Sequence, residues 1–175
     1  MRFGGIALAA VLLLGACSGD PSPKEPTETA SKPTPTSTAT LPAMPDQAKE
    51  DSKEGAAAFV DHWIQVLNYS MATGDVRELS RLSTDNCSGC QKYVESIRSM
   101  YERGGYLKGG MWDIENVRVA EAGPGRLVTV DVSWGESTFK ESASADEQRG
   151  SADSETVTLE VMKRQVSQLV IGEVK

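Results

Sequence analysis

Apolar residues set a clear rhythm in the second half of this chain's first hundred residues. Ala56, Phe59, Val60, Trp63, Ile64, Leu67 and Met71 recur at steps of three and four, the spacing that lines side chains along one stripe of an α-helix. Asp51 and Glu54 stand at capping-box spacing ahead of that stripe, and Gly74 suits its C-terminal end. Asp75 and Glu78 repeat the box before Leu79 and Leu82, which predicts a short second helix. Ser88 and Gln91 form a third box. The helix it opens carries Val94, Ile97 and Tyr101 inward with Tyr93 and Met100 flanking, and Gly104 and Gly105 stop it.

Period two then takes over. Trp112 and Ile114 share one phase and Val117 and Val119 the other, so a β-bulge is expected between Glu115 and Asn116. Gly123, Pro124 and Gly125 read as a turn. Val128, Val130, Val132 and Trp134 alternate with Thr129, Asp131 and Ser133, a half-buried strand that closes a hairpin with the one before. Residues 141–153 are mostly Glu, Ser, Ala, Asp and Gly and are expected to be a mobile loop. Val157, Leu159 and Val161 make another alternating strand, and Leu169, Val170 and Ile171 suit a last one. Helices followed by an antiparallel sheet predict an α+β domain with the helices on one sheet face.

The start of the chain follows other rules. Met1 and Arg2 precede an apolar run from Ile6 to Leu14, a secretory leader too short to span a bilayer. It closes on Leu14, Gly15, Ala16 and Cys17, which resembles the lipobox of bacterial lipoproteins. That resemblance implies that residues 1–16 are removed and that Cys17 carries a diacylglyceryl thioether. Residues 18–45 hold seven of the eight prolines, with Leu41 as their one large aliphatic. This composition cannot offset ordering entropy, so residues 17–45 are expected to form a lipidated stalk reaching at most about 90 Å. Its Ser/Thr-Pro tracts suit O-glycans or a bare spacer. Residues 46–175 are the length of one domain.

The element order is similar to that of NTF2-like, or SnoaL-like, domains: a long helix, a short one, a third, then a curved meander. The resemblance implies an NTF2-like cone with the helices packed on a curved antiparallel sheet. The stretch from Trp63 to Asp75, with Leu67, Asn68, Tyr69, Ala72, Thr73, Gly74 and Asp75, resembles an actinobacterial lipoprotein family of unknown function with a Thr/Pro stalk and a Cys-x-x-Cys. No activity comes with that family. By resemblance to this fold, homodimerisation through the open sheet face is expected.

Charge and chemistry narrow the function. Losing residues 1–16, with their single arginine, takes the formal net charge from −7 to −8. An acidic chain with one histidine has no electrostatic footprint for nucleic acid, and the lipid must hold it to the membrane. With Cys17 assigned to lipid, Cys87 and Cys90 remain as a pair, expected to oxidise outside the cytosol. A structural pin is the plain reading; a thiol–disulfide exchanger is the alternative, though the strand that normally precedes such a pair is missing. No metal site is expected, because a zinc centre wants four ligands, and no cofactor is implied. His62 lies beside the apolar face of the first helix. Asp113 and Asp131 alternate opposite the Val/Trp face and are expected to point away from the core, and Asp61 to face outward. Trp63, Tyr69, Tyr101, Trp112 and Trp134 are candidates for a pocket between helices and sheet, or for plain core. The expected protein is a lipid-anchored module on the extracytoplasmic face of the cell membrane, without a catalytic residue set, that binds an envelope protein or a small hydrophobic ligand. An NTF2-like enzyme using a pocket carboxylate or His62 as base is the alternative.

Overall fold

Where the apolar period is three to four, the chain is helical. A computed structural model describes residues 39–172, all within the unit Pro35–Lys175; the leader, Cys17 and residues 18–38 of the stalk lie outside the described residues. A single 3-10 turn, Asp46–Lys49, leads into α1 (Lys53–Thr73), then α2 (Arg77–Arg81) and α3 (Ser88–Glu102). Seven strands follow: β1 (Tyr106–Gly109), β2 (Trp112–Ala122), β3 (Gly125–Trp134), β4 (Ser137–Lys140), β5 (Gln148–Gly150), β6 (Asp153–Met162) and β7 (Gln165–Ile171). The α+β class read from the sequence is the one observed.

The helix ends differ in detail from the capping-box reading. Ser52, not Asp51, caps α1: its Oγ accepts from the Gly55 amide at 2.9 Å. Asp51 is turned away to the guanidinium of Arg126. Asp75 makes a tight turn instead of a box, its Oδ1 accepting from the Arg77 amide at 3.1 Å. Ser88 is already inside α3, which Cys87 caps by accepting from the Cys90 amide at 3.2 Å. Gly74 ends α1 in the left-handed region, with φ 78°, where a Cβ would also lie 2.4 Å from the Tyr101 ring. Only glycine satisfies both demands.

Four strands form the main antiparallel sheet in the order β2-β3-β6-β7. The register slips between Ile114 and Asn116, where the change of phase places a bulge. Val128, Val130, Val132, Val157 and Leu159 project from one face, all buried, against Phe59, Val60, Trp63, Ile64 and Leu67 of α1. The opposite face is hydroxyl-rich: Thr156 donates to Asp131 at 2.8 Å, and Thr129 and Thr158 hydrogen-bond across strands. Asp131 also takes the Arg118 guanidinium, which holds its carboxyl below the usual carboxylate range. Asp113 is exposed.

Side chains and loops blunt both edges of this sheet, which would otherwise offer unpaired backbone. At β2 the Asn68 amide clasps the Trp112 backbone, donating to its carbonyl at 2.8 Å and accepting from its amide at 2.9 Å. At β7 the connection after α2 adds a short parallel bridge, Ser83 with Val166, closed by bonds from the Thr84 amide to Val166 and from the Val166 amide to Leu82.

The stretch 141–153 is not wholly loop. Residues Gln148–Gly150 form β5, which pairs with β4, and β4 pairs with β1 in a second, three-stranded sheet. β1 begins directly after Gly104 and Gly105, the pair that stops α3. Tyr106 on β1 donates to the Glu147 carboxylate, tying the far side of this loop down.

Candidate functional site

The residues singled out from the sequence do not converge on one place. Trp63 is fully buried, and its indole N–H donates to Ser83 Oγ at 3.0 Å, whose hydroxyl in turn donates a hydrogen bond to the Leu79 carbonyl at 2.8 Å. This buried polar chain is complete, as a packed interior requires. Trp112 and Trp134 meet across β2 and β3, stacked with centroids 6.1 Å apart, and Tyr93 of α3 presents its edge to Trp112 at 5.7 Å. Tyr101 donates to the Met71 carbonyl at 2.7 Å, and burial raises its pKa. Tyr69 lies by Asp75, whose carboxyl is held low first by Arg77 and in smaller part by Tyr69. Two of the five aromatics are thus brought together, and the other three serve separate hydrogen bonds.

Cys87 and Cys90 lie at disulfide distance, 2.02 Å between sulfurs, in the first turn of α3. Both are sealed in, at 1% and 0% exposure. A thiol that attacks other disulfides must be reachable. Here the turn presses on β7 so closely that a Cβ at Gly89 would sit 2.5 Å from the Leu169 carbonyl oxygen.

His62 is 1% exposed, and neither ring nitrogen has a hydrogen-bond partner among the described residues. Burial lowers its pKa, against smaller opposite effects of Glu78 and Asp61. A general base must reach its substrate, and this imidazole faces the protein interior. Among the described residues no group of three or more His, Cys, Asp or Glu is placed to hold a metal ion, and no helix is long and apolar enough to cross a membrane.

A concave feature lies elsewhere, at the end of the sheet where the β2–β3 and β6–β7 turns meet the start of α1. A groove of about 560 Å³ opens there, within the size range of small-molecule sites. Ala48, Ala56, Phe59 and Val161 form an apolar floor, all of them buried. The rim carries Lys49, Arg126, Lys163 and Arg164, with the carboxylates Glu50 and Asp51. Arg126 projects from the helix-facing side of β3 and ties Asp51 to the sheet. Its Nε lies 3.5 Å from Glu121 Oε1 without hydrogen-bond geometry. Lys49 pairs with Asp46 at 2.6 Å.

Lys163 and Arg164 are the two residues between paired Met162 and Gln165, and both have positive φ, 49° and 62°. A two-residue hairpin of this hand favours Asn-Gly. Two residues with Cβ atoms held there cost roughly 1 kcal/mol or more apiece.

None of these groove residues emerges from the sequence as a site. The one local sign is a Lys-Arg pair between two alternating apolar runs, where turn chemistry calls for Asn and Gly. What assembles the groove is contact across long sequence separations, such as Arg126 to Asp51.

Comparison with known proteins supports the fold without adding chemistry. The intermembrane-space region of the chloroplast protein ARC6 superposes with a TM-score of 0.53 at 10% identity, over 71% of this chain and 99% of that one. A polyketide cyclase candidate from Xanthomonas campestris pv. campestris aligns at a TM-score of 0.39 and 9% identity, over 67% of this chain and 92% of that one, too loosely to carry an argument. No curated protein matches. Residues 27–165 match the family of unknown function DUF6318, and the chain belongs to that family.

Proposed function

We propose that this chain is a lipid-anchored cell-envelope module whose role is to bind a small apolar ligand or a partner segment. The observation that carries the binding reading is the groove at the start of α1, with its buried apolar floor and charged rim. The anchoring half rests on the leader ending at Cys17, where acyl chains would supply the hold that an acidic domain lacks. On this reading the domain is an NTF2-like cone whose interior is occupied by side chains such as Trp63. Recognition is then left to the groove at its rim.

Two measurements test it. Labelled palmitate should enter the wild-type protein in a lipidating bacterial host and not the Cys17→Ser variant; equal labelling of both ends the anchoring claim. Native mass spectrometry of protein recovered from envelope fractions should show a bound small molecule that Ala56→Leu, which fills the groove floor, removes. The same mass retained by the filled variant would place the ligand elsewhere.

A further inference from the structure

The charge at the groove mouth runs against the rest of the chain. The formal net charge is −7, yet four cations line this one groove against two carboxylates. Lys49 is occupied by Asp46, and Arg126 by both Asp51 and Glu121. Lys163 and Arg164 have no hydrogen-bond or ion-pair partner among the described residues, and they are exposed. They also sit at the two positions of the turn where side chains are least tolerated. For solubility alone, lysine and arginine could stand on either flank of the turn at no backbone cost. Strain kept at a cation pair on the edge of a groove is an outlier that points toward use. Arg126 lines the same groove, its Nε ion-paired with Glu121 at 3.5 Å but without a hydrogen bond among the described residues.

We infer that the groove takes a free amphiphile with one anionic head, of the alkyl carboxylate class. The head sits at Lys163 and Arg164, on the groove that Arg126 also lines, and the apolar body lies on Phe59, Ala56 and Val161. Charge complementarity selects the anion, since hydrogen bonds from cations to carboxylate are the strong kind. Glu50 and Asp51 on the same rim lower the net positive potential there, so the apolar floor must supply the preference for an amphiphile over inorganic phosphate. This inference rests on the groove being the binding site and adds the chemistry of what enters it.

Calorimetric titration of the full chain decides the matter, in a Cys17→Ser background that removes the proposed acyl group as an internal competitor. Sodium decanoate should bind about tenfold or more tightly than decanol or inorganic phosphate. The double variant K163Q/R164Q keeps the strained backbone and removes the charge; it should weaken decanoate about tenfold and leave decanol unchanged. K163N/R164G should lose decanoate equally while raising Tm by a few degrees, because the turn relaxes. Equal binding of decanoate and decanol, or full decanoate affinity in K163Q/R164Q, overturns the anionic head. If Ala56→Leu abolishes both probes in that case, the groove itself stands. Decanoate binding that survives Ala56→Leu removes the groove as well. Inorganic phosphate bound as tightly as decanoate overturns the role of the apolar floor. Phosphatidylglycerol vesicles bound in preference to decanoate would assign the site to a membrane headgroup and overturn the free amphiphile.

Discussion

The two ends of α1 meet the same sheet and do opposite things with it. At the C-terminal end, Asn68 clasps the Trp112 backbone, Trp112 stacks on Trp134, and Tyr93 closes the side. Large planar side chains and a matched amide leave little room there. At the N-terminal end the helix meets the sheet through Ala56 and Phe59, and the space beyond is rimmed by charges. Side chains that hydrate well cannot be drawn into the core without loss of solvation, so the layers stay apart. One helix packed on one sheet thus yields an end filled by buried and half-buried aromatics and an open end, and the choice of side chain at each end decides which. The filled end should govern stability and the open end recognition.

Changes to the closed part of the molecule should test that division most severely. Trp63→Ala removes a fully buried indole and leaves Ser83 short of a donor. A loss of about 3–5 kcal/mol is expected in urea unfolding; a loss below about 1 kcal/mol would mean that the interior is loosely packed. Replacing Cys87 and Cys90 together by alanine should cost on the order of 2 kcal/mol, the entropic value for so short a loop. Ligand binding at the groove should survive that change. Binding lost with the fold intact would return thiol chemistry to consideration.

A smaller effect separates burial from titration. His62 has a lowered pKa because it is buried, so between its folded value and the unfolded value near 6.5 the unfolded chain binds more protons. Stability therefore falls as pH drops below about 6.5, and it is fully present above that value. Because this is the chain's single histidine, urea midpoints at pH 7.5 and 5.5 isolate it from the carboxylates, which titrate lower. His62→Gln should flatten the difference; an unchanged pH slope would show that the imidazole is not the group responsible. Smallest of all, Asp51→Asn at the open end should shift stability by less than about 1 kcal/mol, since its side chain is 94% exposed. A larger loss would show that the Arg126 tie holds the groove in shape and that the two ends are coupled.

The helical stripe of α1, the third helix, the slip in β2 and the alternating runs of β3 and β6 are all legible without coordinates. Each depends on neighbours within a few residues and on burial of one face. The second sheet is not legible. β1 and β4 are four residues long and β5 three, with Lys, Gly, Ser, Gln and Arg among them. Such strands form because β4 offers partners on both sides, not because their own pattern demands it. The caps show the same limit on a smaller scale. Asp51 and Ser52 are both good capping residues, and Arg126, far along the chain, draws Asp51 away and leaves the cap to Ser52.

From its sequence alone this chain determined its class, its order of elements and which faces would be buried, because hydrophobic period is a local property that folding must satisfy. The tertiary structure alone decided which aromatics share a cluster, that His62 is buried without a hydrogen-bond partner among the described residues, and that a groove exists. These features join residues distant along the chain, as when Phe59 lines one groove with Lys163 and Arg164. No spacing rule encodes that adjacency; it follows from how a 21-residue helix lies across two hairpins once their apolar faces have met.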